Sequence, residues 1–279
     1  MVTHHIPSTL EEALELLETN QYQVMCGGTD LMIQSRSWAN TVPKWTKPLV
    51  FIRQLSELNY IQETQDDIEI GSVTSYETLL NSSLVPKVLK DTIIEIAAPG
   101  IRQVGTLGGN IANASPAADA VCTLIALDAK VDIISFNSSR TEKICDLIIG
   151  VKKTTLKPNE IIRCIKIPNV EHDYATFYKV GGRKADAISK VSLCALCNVK
   201  DNVITKFRIA FGAVGPKVSS DINTDELLVG RTIDDVKNSI DDITEKYKTL
   251  ITPIDDQRST KEYRHKVAIN MIKAFIESL

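Results

Sequence analysis

Leu10, Ala13, Leu14 and Leu17 recur at the spacing of one helix face, and Ser-Thr-Leu-Glu at 8–11 has the spacing of a capping box, so the pattern predicts an amphipathic helix over 8–19. A short apolar run at 21–26 reads as a strand that stops at Gly27 and Gly28, with another helix expected over 29–36. The stretch 37–48, with Ser37, Asn40, Pro43 and Pro48, reads as a loop leading to the strand-like run Leu49, Val50, Phe51 and Ile52. Paired strands are expected near 60–64 and 67–71, then helical segments up to Leu79 and over 86–97, halted by Pro99 and Gly100. Ser115 and Pro116 look like an N-cap followed by proline at the first helical position, opening a helix to Leu127. Strands near 129–136, 142–148 and 160–167 complete a region ending around Pro168. A second region comes next, with strands near 175–180, 190–199 and 203–212 and helices near 232–249 and 258–277, an α+β pattern. No internal repeat or low-complexity segment interrupts it.

With 279 residues, 43% hydrophobic and 24% charged, the chain has the makeup of a globular protein, and at roughly 100–200 residues per domain it suggests two domains, although one α/β barrel would also fit. Lys and Arg number 32 against 35 Asp and Glu, so no global basic field exists to hold a nucleic acid. The first residues lack the basic and apolar segments of a signal peptide, and no run approaches the ~18 apolar residues of a membrane span. No membrane span and a cytoplasmic location are therefore expected. Six scattered cysteines fit a compartment where thiols stay reduced. Only Cys194 and Cys197 have metal-like spacing, but they lie in the strand-like run 191–199, where residues three apart face opposite sides, and no second pair completes a ligand set. His4, His5, His172 and His265 form no metal pattern either, and no G-x-S-x-G elbow supports a serine hydrolase. No metal site is expected, and the serine hydrolase and zinc enzyme readings both fade.

Three constellations remain. Cys-Gly-Gly-Thr-Asp-Leu at 26–31 places two residues without side chains between a strand and a helix start, which suits close approach of a phosphate to backbone N–H groups; glycine pairs also simply make turns. The segment 105–119 sets Thr106, Asn110, Asn113, Ser115 and Asp119 beside Gly105, Gly108 and Gly109, with no charge before Asp119, and could line a polyhydroxylated ligand or be a structural loop. Near Gly181 and Gly182, the cations Lys179, Arg183 and Lys184 flank a turn that is either solvated or faces an anion. Two glycine-rich loops together suggest one extended dinucleotide held between two subdomains. Neither a G-x-G-x-x-G nor a P-loop motif is present to point to NAD or ATP as the tightly held ligand.

Together the three constellations resemble the FAD-binding medium subunit of the molybdenum hydroxylases, the xanthine dehydrogenase, nicotinate dehydrogenase and carbon monoxide dehydrogenase group, over nearly the whole chain. Residues 26–31 look like that family's A-G-G-T-D-L loop with Cys26 in place of alanine, and Ile-Arg-Gln-Val-Gly-Thr-Leu-Gly-Gly-Asn-Ile-Ala-Asn-Ala-Ser-Pro-Ala-Ala-Asp at 101–119 looks like its long second loop. The segment 178–188 resembles the start of its C-terminal part. The resemblance implies an α+β chain: a two-subdomain FAD-binding fold of the vanillyl-alcohol oxidase and p-cresol methylhydroxylase type over 1–168, with subdomains of about 1–56 and 57–168. A small α+β domain of the carbon monoxide dehydrogenase flavoprotein type would occupy 169–279.

By position, the resemblance implies that Val24, Met25, Cys26, Gly27, Gly28, Thr29, Asp30 and Leu31 hold the pyrophosphate and adenosine part of FAD, mostly through backbone amides. Thr106, Leu107, Gly108, Gly109, Asn110, Asn113, Ser115 and Asp119 would serve the flavin end, ribityl chain and phosphates. Ile162 or its neighbour Arg163 would lie close to the cofactor, as would Lys179; Arg163 stands where the family usually has an apolar residue. The implied role is electron transfer from iron–sulfur clusters through FAD to NAD+ or another acceptor, with a 2Fe–2S small subunit and a molybdopterin large subunit as partners. This chain begins and ends with the flavin part, which implies a separate subunit, and its cysteines are too dispersed for an iron–sulfur insertion. A stand-alone flavin-dependent oxidase of a small molecule and a noncatalytic interaction module are the alternatives.

Overall fold

The computed structural model describes residues 3–19, 22–36 and 44–279. Most of the loop expected at 37–48, and Gln21 of the first expected strand, lie outside them. Two compact units interleave along the chain: Met1–Val85, Ala97–Ala114 and Ala129–Asn169 form the first, while Pro86–Ile96, Ser115–Asp128 and Val170–Leu279 form the second.

The first unit contains a parallel sheet in the order His4–His5, Leu49–Phe51, Gln23–Met25. Parallel strands need a crossover, and the helix Leu10–Glu18 supplies it, burying Ala13, Leu14 and Leu17. Its capping box sits one residue later than the 8–11 pattern suggests. Thr9 is extended and accepts from Glu12 N at 3.2 Å, while the Glu12 carboxylate accepts from Ser8 N at 2.6 Å, so the acidic residue stands in the third helical position.

The same unit holds an antiparallel sheet in the order Ile61–Glu63, Asp67–Gly71, Ile161–Pro168, Lys130–Ile134, Ser139–Lys143. The strand expected over 142–148 ends at Lys143 instead. Ile144–Leu147 coil into one helical turn, because only that spacing turns both Ile144 and Leu147 inward. Pro99 likewise opens a short helix, Pro99–Arg102, rather than merely ending one, since proline suits a first helical position.

In the second unit, Tyr174–Val180, Val191–Lys200 and Val203–Gly212 form an antiparallel sheet with Val191–Lys200 in the middle. Val191, Leu193, Ala195 and Cys197 join a core with Phe207, Phe211, Tyr247 and Phe275. On the other side the helix Asp119–Ala126 packs on the sheet, and the buried Cys122 thiol donates to Ala210 O at 3.1 Å. Both faces are covered, so residues 191–197 are apolar or buried throughout and show no polar alternation. The expected helix over 232–249 divides at Ser239 into Ile233–Asn238 and Ile240–Tyr247, and Lys261–Ser278 packs on the middle strand. Among the described residues, no helix is long and apolar enough to cross a membrane.

Candidate functional site

The first glycine loop leaves the parallel sheet at Met25. Gly28 has φ +67°, the left-handed region that glycine enters without strain. The helix behind it is only Leu31–Gln34, shorter than the expected 29–36, and Asp30 at its N-cap makes no side-chain cap bond because its carboxylate is engaged elsewhere. The backbone N–H groups of Gly28, Thr29, Asp30 and Leu31 meet no acceptor among the described residues. Unspent donors of this kind at a strand-to-helix turn are what an anionic group binds. Gly27 serves a different purpose: a Cβ there would lie 1.9 Å from Val104 O, so only glycine lets the two loops touch.

The second segment is not an open loop. Thr106 caps the helix Leu107–Asn113, its hydroxyl accepting from Gly109 N at 3.1 Å. Leu107 and Ile111 are buried, and Gly108 lies so close to Ser72 that a Cβ would come within 2.6 Å of it. Gly109 faces outward, where a Cβ would meet only the Thr106 hydroxyl, and the amide oxygen of Asn110 is buried without a partner. The helix ends at Ala114, with φ 46°. Ser115 does not cap the next helix as expected. Its hydroxyl accepts from Ala117 N at 3.4 Å, Pro116 O is drawn to Ala213 N at 2.8 Å, and the helix starts only at Asp119.

Side chains bind the two glycine segments together within the first unit. The Arg53 guanidinium donates to Gln103 O and Val104 O, both at 2.7 Å. Thr106 Oγ1 donates to Cys26 Sγ at 3.9 Å, and burial pushes the Cys26 thiol pKa up. Asn113 donates to the Asp30 carboxylate, and Lys152 Nζ reaches Asn113 Oδ1 at 2.7 Å and Asp30 Oδ2 at 3.3 Å. Gln34 adds a bond to Asn113 Oδ1 at 3.0 Å. Arg53 and Lys152 are invisible to sequence reasoning, for neither lies in a motif.

Ile162 is buried opposite Ile133 in the antiparallel sheet. The pairing shifts between Ile162 and Cys164, so Arg163 stands at a bulge with an exposed side chain, 2.8 Å from Asp132 Oδ2, while its carbonyl accepts from Ser72 N at 3.1 Å. Burial alone would raise the Asp132 pKa, but hydrogen bonds from Thr141, Lys166 and Arg163 win and hold it at about 2.

Ser115, Asp119 and Lys179 belong to the second unit. Lys179 and Asp119 form an ion pair at 2.8 Å with both side chains 7% exposed. Lys179 Nζ also donates to Glu95 O at 2.6 Å, and Ser189 donates to Asp119 Oδ1 at 2.6 Å. Arg183 and Lys184 are exposed and line, with Lys179, a cavity of about 260 Å³, where Arg183 Nε donates to Ala185 O at 3.0 Å. Among the described residues, no group of His, Cys, Asp and Glu is arranged to hold a metal ion.

Residues 1–170 match the family model of the FAD binding domain in molybdopterin dehydrogenase, and residues 176–279 that of the CO dehydrogenase flavoprotein C-terminal domain. The chain is 29% identical over 273 residues to the glyceraldehyde dehydrogenase medium chain of Sulfolobus acidocaldarius, covering 96% of this chain and 95% of that one. It is 31% identical over 239 residues to the nicotinate dehydrogenase FAD-subunit of Eubacterium barkeri, covering 80% and 78%. It superposes on a chain of reconstituted CO dehydrogenase from Oligotropha carboxidovorans with a TM-score of 0.90 at 25% identity, over 99% of this chain and 96% of that one.

Proposed function

The chain belongs to the family of FAD-binding subunits of the molybdenum hydroxylases, and from that premise we propose that it carries electrons from iron–sulfur clusters to NAD+ or another acceptor as one subunit of a larger complex. It is a flavoprotein oxidoreductase subunit, and its cofactor is FAD. When bound, FAD supplies the exchange between one-electron and two-electron carriers. The proposed partners are a 2Fe–2S small subunit and a molybdopterin large subunit, a reading supported by relatives named as a medium chain and an FAD-subunit. Six free thiols support the cytoplasm as its location. The matched ranges 1–170 and 176–279 support an FAD-binding domain over 1–168 and a C-terminal domain over 169–279.

The observation that carries the reading is the meeting of the two glycine segments at Gly27 and Val104, with unspent N–H groups at Gly28, Thr29, Asp30 and Leu31 beside it. Those donors suit a pyrophosphate, and the unsatisfied Asn110 Oδ1 suits a ribityl or ribose hydroxyl. Met25, Leu107 and Ile162 are buried, so their contribution is packing and backbone position. Asp119 and Lys179 neutralise each other, and after Asp119 and Glu95 O are served, the Lys179 ammonium keeps one proton for an acceptor. No side chain in this reading acts as an obligatory acid or base.

The test is the visible spectrum and releasable flavin of the freshly purified chain and its complex. Stoichiometric FAD is expected, and a Gly109→Val chain should fold yet come out colourless, because its added side chain fills the outward face above Thr106. A colourless wild-type preparation would overturn the reading. Reoxidation by NAD+ compared with other acceptors then decides the electron's destination.

A further inference from the structure

Arg53 lies in neither glycine segment, yet it stands where they touch. It comes just after Leu49–Phe51, the middle strand of the parallel sheet, and Ile52 N donates to Met25 O at 3.0 Å, so the chain leaves the sheet beside the strand that ends in the first loop. From there Nη1 donates to Val104 O and Nη2 to Gln103 O, each at 2.7 Å. The Val104 carbonyl held in this way is the atom that a Cβ on Gly27 would strike at 1.9 Å. One planar fork therefore fixes two successive carbonyls, and one of them rests directly on the backbone of the first loop.

The chain beyond Val104 depends on that placement. Gly105 O accepts from Tyr76 N at 2.9 Å, Thr106 caps Leu107–Asn113, and Asn110 presents its unsatisfied oxygen from this helix. The unspent N–H groups of Gly28 to Leu31 follow directly in the chain after Gly27, the other partner in that contact. Resting on the assignment of FAD as the cofactor, we propose that Arg53 is a positioning residue that sets the spacing between the two halves of the cofactor cradle, acting through Val104 O and Gln103 O.

The test uses the full chain stripped of FAD, with FAD uptake followed by flavin fluorescence and backbone opening by hydrogen–deuterium exchange. Arg53→Ala should weaken FAD binding about tenfold to a hundredfold, the range of one charge-assisted hydrogen bond. Arg53→Lys should recover only part of the loss, since one ammonium cannot fork onto both carbonyls. Without FAD, Arg53→Ala should speed exchange at 26–31 and 103–109 and leave Val191–Lys200 unchanged, a local pattern that general destabilisation would not give. Wild-type chain that takes up no FAD would overturn the cofactor reading and this proposal together. Wild-type uptake with unchanged affinity in Arg53→Ala, or unchanged exchange in both loops, would overturn this proposal alone. If Arg53→Ala does not fold, exchange in Arg53→Lys and Arg53→Gln decides, and wild-type rates in both loops would sink it.

Discussion

Where the glycine segments meet in the first unit, polar groups are left open: the N–H groups from Gly28 to Leu31 and the amide oxygen of Asn110 have no partner among the described residues. In the second unit the buried charged groups Asp119, Asp225 and Arg264 have partners. Asp119 is held by Lys179 and Ser189, Asp225 by Tyr247 and Ile209, and Arg264 by Asp256 and Ala213 O. A buried polar group without a partner costs roughly 1–3 kcal/mol, so the Asn110 oxygen is a deficit that a ligand can relieve, whereas the second unit holds its buried carboxylates with partners of its own and leaves only Ser192 Oγ and Arg264 Nε unpartnered among its described buried side chains. The contrast separates residues that serve binding from residues that serve folding, although both lie in sequence segments that the family resemblance assigns to one cofactor.

The sharpest way to break this contrast is Asp119→Ala. It strands the buried Lys179 ammonium, with a side chain 7% exposed, and removal of one partner from a buried pair typically costs about 3–5 kcal/mol. Urea unfolding should show that loss, while Asp119→Asn, which keeps an acceptor for Ser189, should lose less. A stability unchanged in Asp119→Ala would mean that the Lys179 and Asp119 charges do not depend on each other.

Nearly as large is a pH effect at Asp225. Burial pushes its carboxyl pKa from 3.8 up to about 7, because the partners holding it, the Tyr247 hydroxyl at 2.7 Å and Ile209 N at 3.3 Å, are neutral donors. The folded chain thus keeps a proton that the unfolded chain releases near pH 3.8. Its contribution is complete below that pH and declines as pH rises towards 7, by on the order of 4 kcal/mol in all. Asp225→Asn should flatten this slope, measured as the difference between the two urea stabilities at steps from pH 4 to 8.

A third experiment compares glycines. Gly27→Ala drives a Cβ to 1.9 Å from a backbone oxygen that Arg53 holds in place, an overpacking cost of about 1–3 kcal/mol, equivalent to roughly tenfold to a hundredfold weaker FAD binding. Gly212→Ala in the second unit meets the Ser192 hydroxyl at 2.3 Å, which can rotate away. FAD titration should therefore separate the two variants, with Gly212→Ala close to wild type.

Much of this division was legible in the chain. Strands 61–63, 67–71, 161–168 and 203–212 fell where the apolar runs predicted them, and the Gly-Gly pairs at 27–28 and 108–109 each include a position, Gly27 and Gly108, without room for a side chain. The helix Leu107–Asn113 was not legible, because Gly108, Gly109 and Asn110 are poor helix formers and its stability comes from the Thr106 cap and from Gly108 packing on Ser72. Arg53 and Lys152 were hidden for another reason. Their partners Val104 and Asn113 lie 51 and 39 residues away, so no local spacing reveals them. The pairing of Lys179 with Asp119 is of the same kind: both residues were marked by resemblance, but their mutual neutralisation is a product of tertiary packing.

The smallest expected effect lies in the first unit, at Asp132. Here the buried carboxylate has cations beside it, Lys166 at 2.9 Å and Arg163 at 2.8 Å, and its pKa sits at about 2 rather than 3.8. Its contribution to stability is therefore present above pH 3.8 and lost as pH falls through about 2, the reverse of Asp225. Arg163→Leu removes the more exposed of the two cations and leaves Lys166, so the loss at neutral pH should stay below about 1 kcal/mol, as for other partly exposed pairs. Acid unfolding should nevertheless begin at a higher pH in this variant, while the slope due to Asp225 between pH 4 and 7 stays as it was. If both ends of the pH profile moved together, the two aspartates would be responding to one shared cause, and the assignment of the acid limb to Asp132 and the neutral slope to Asp225 would no longer hold.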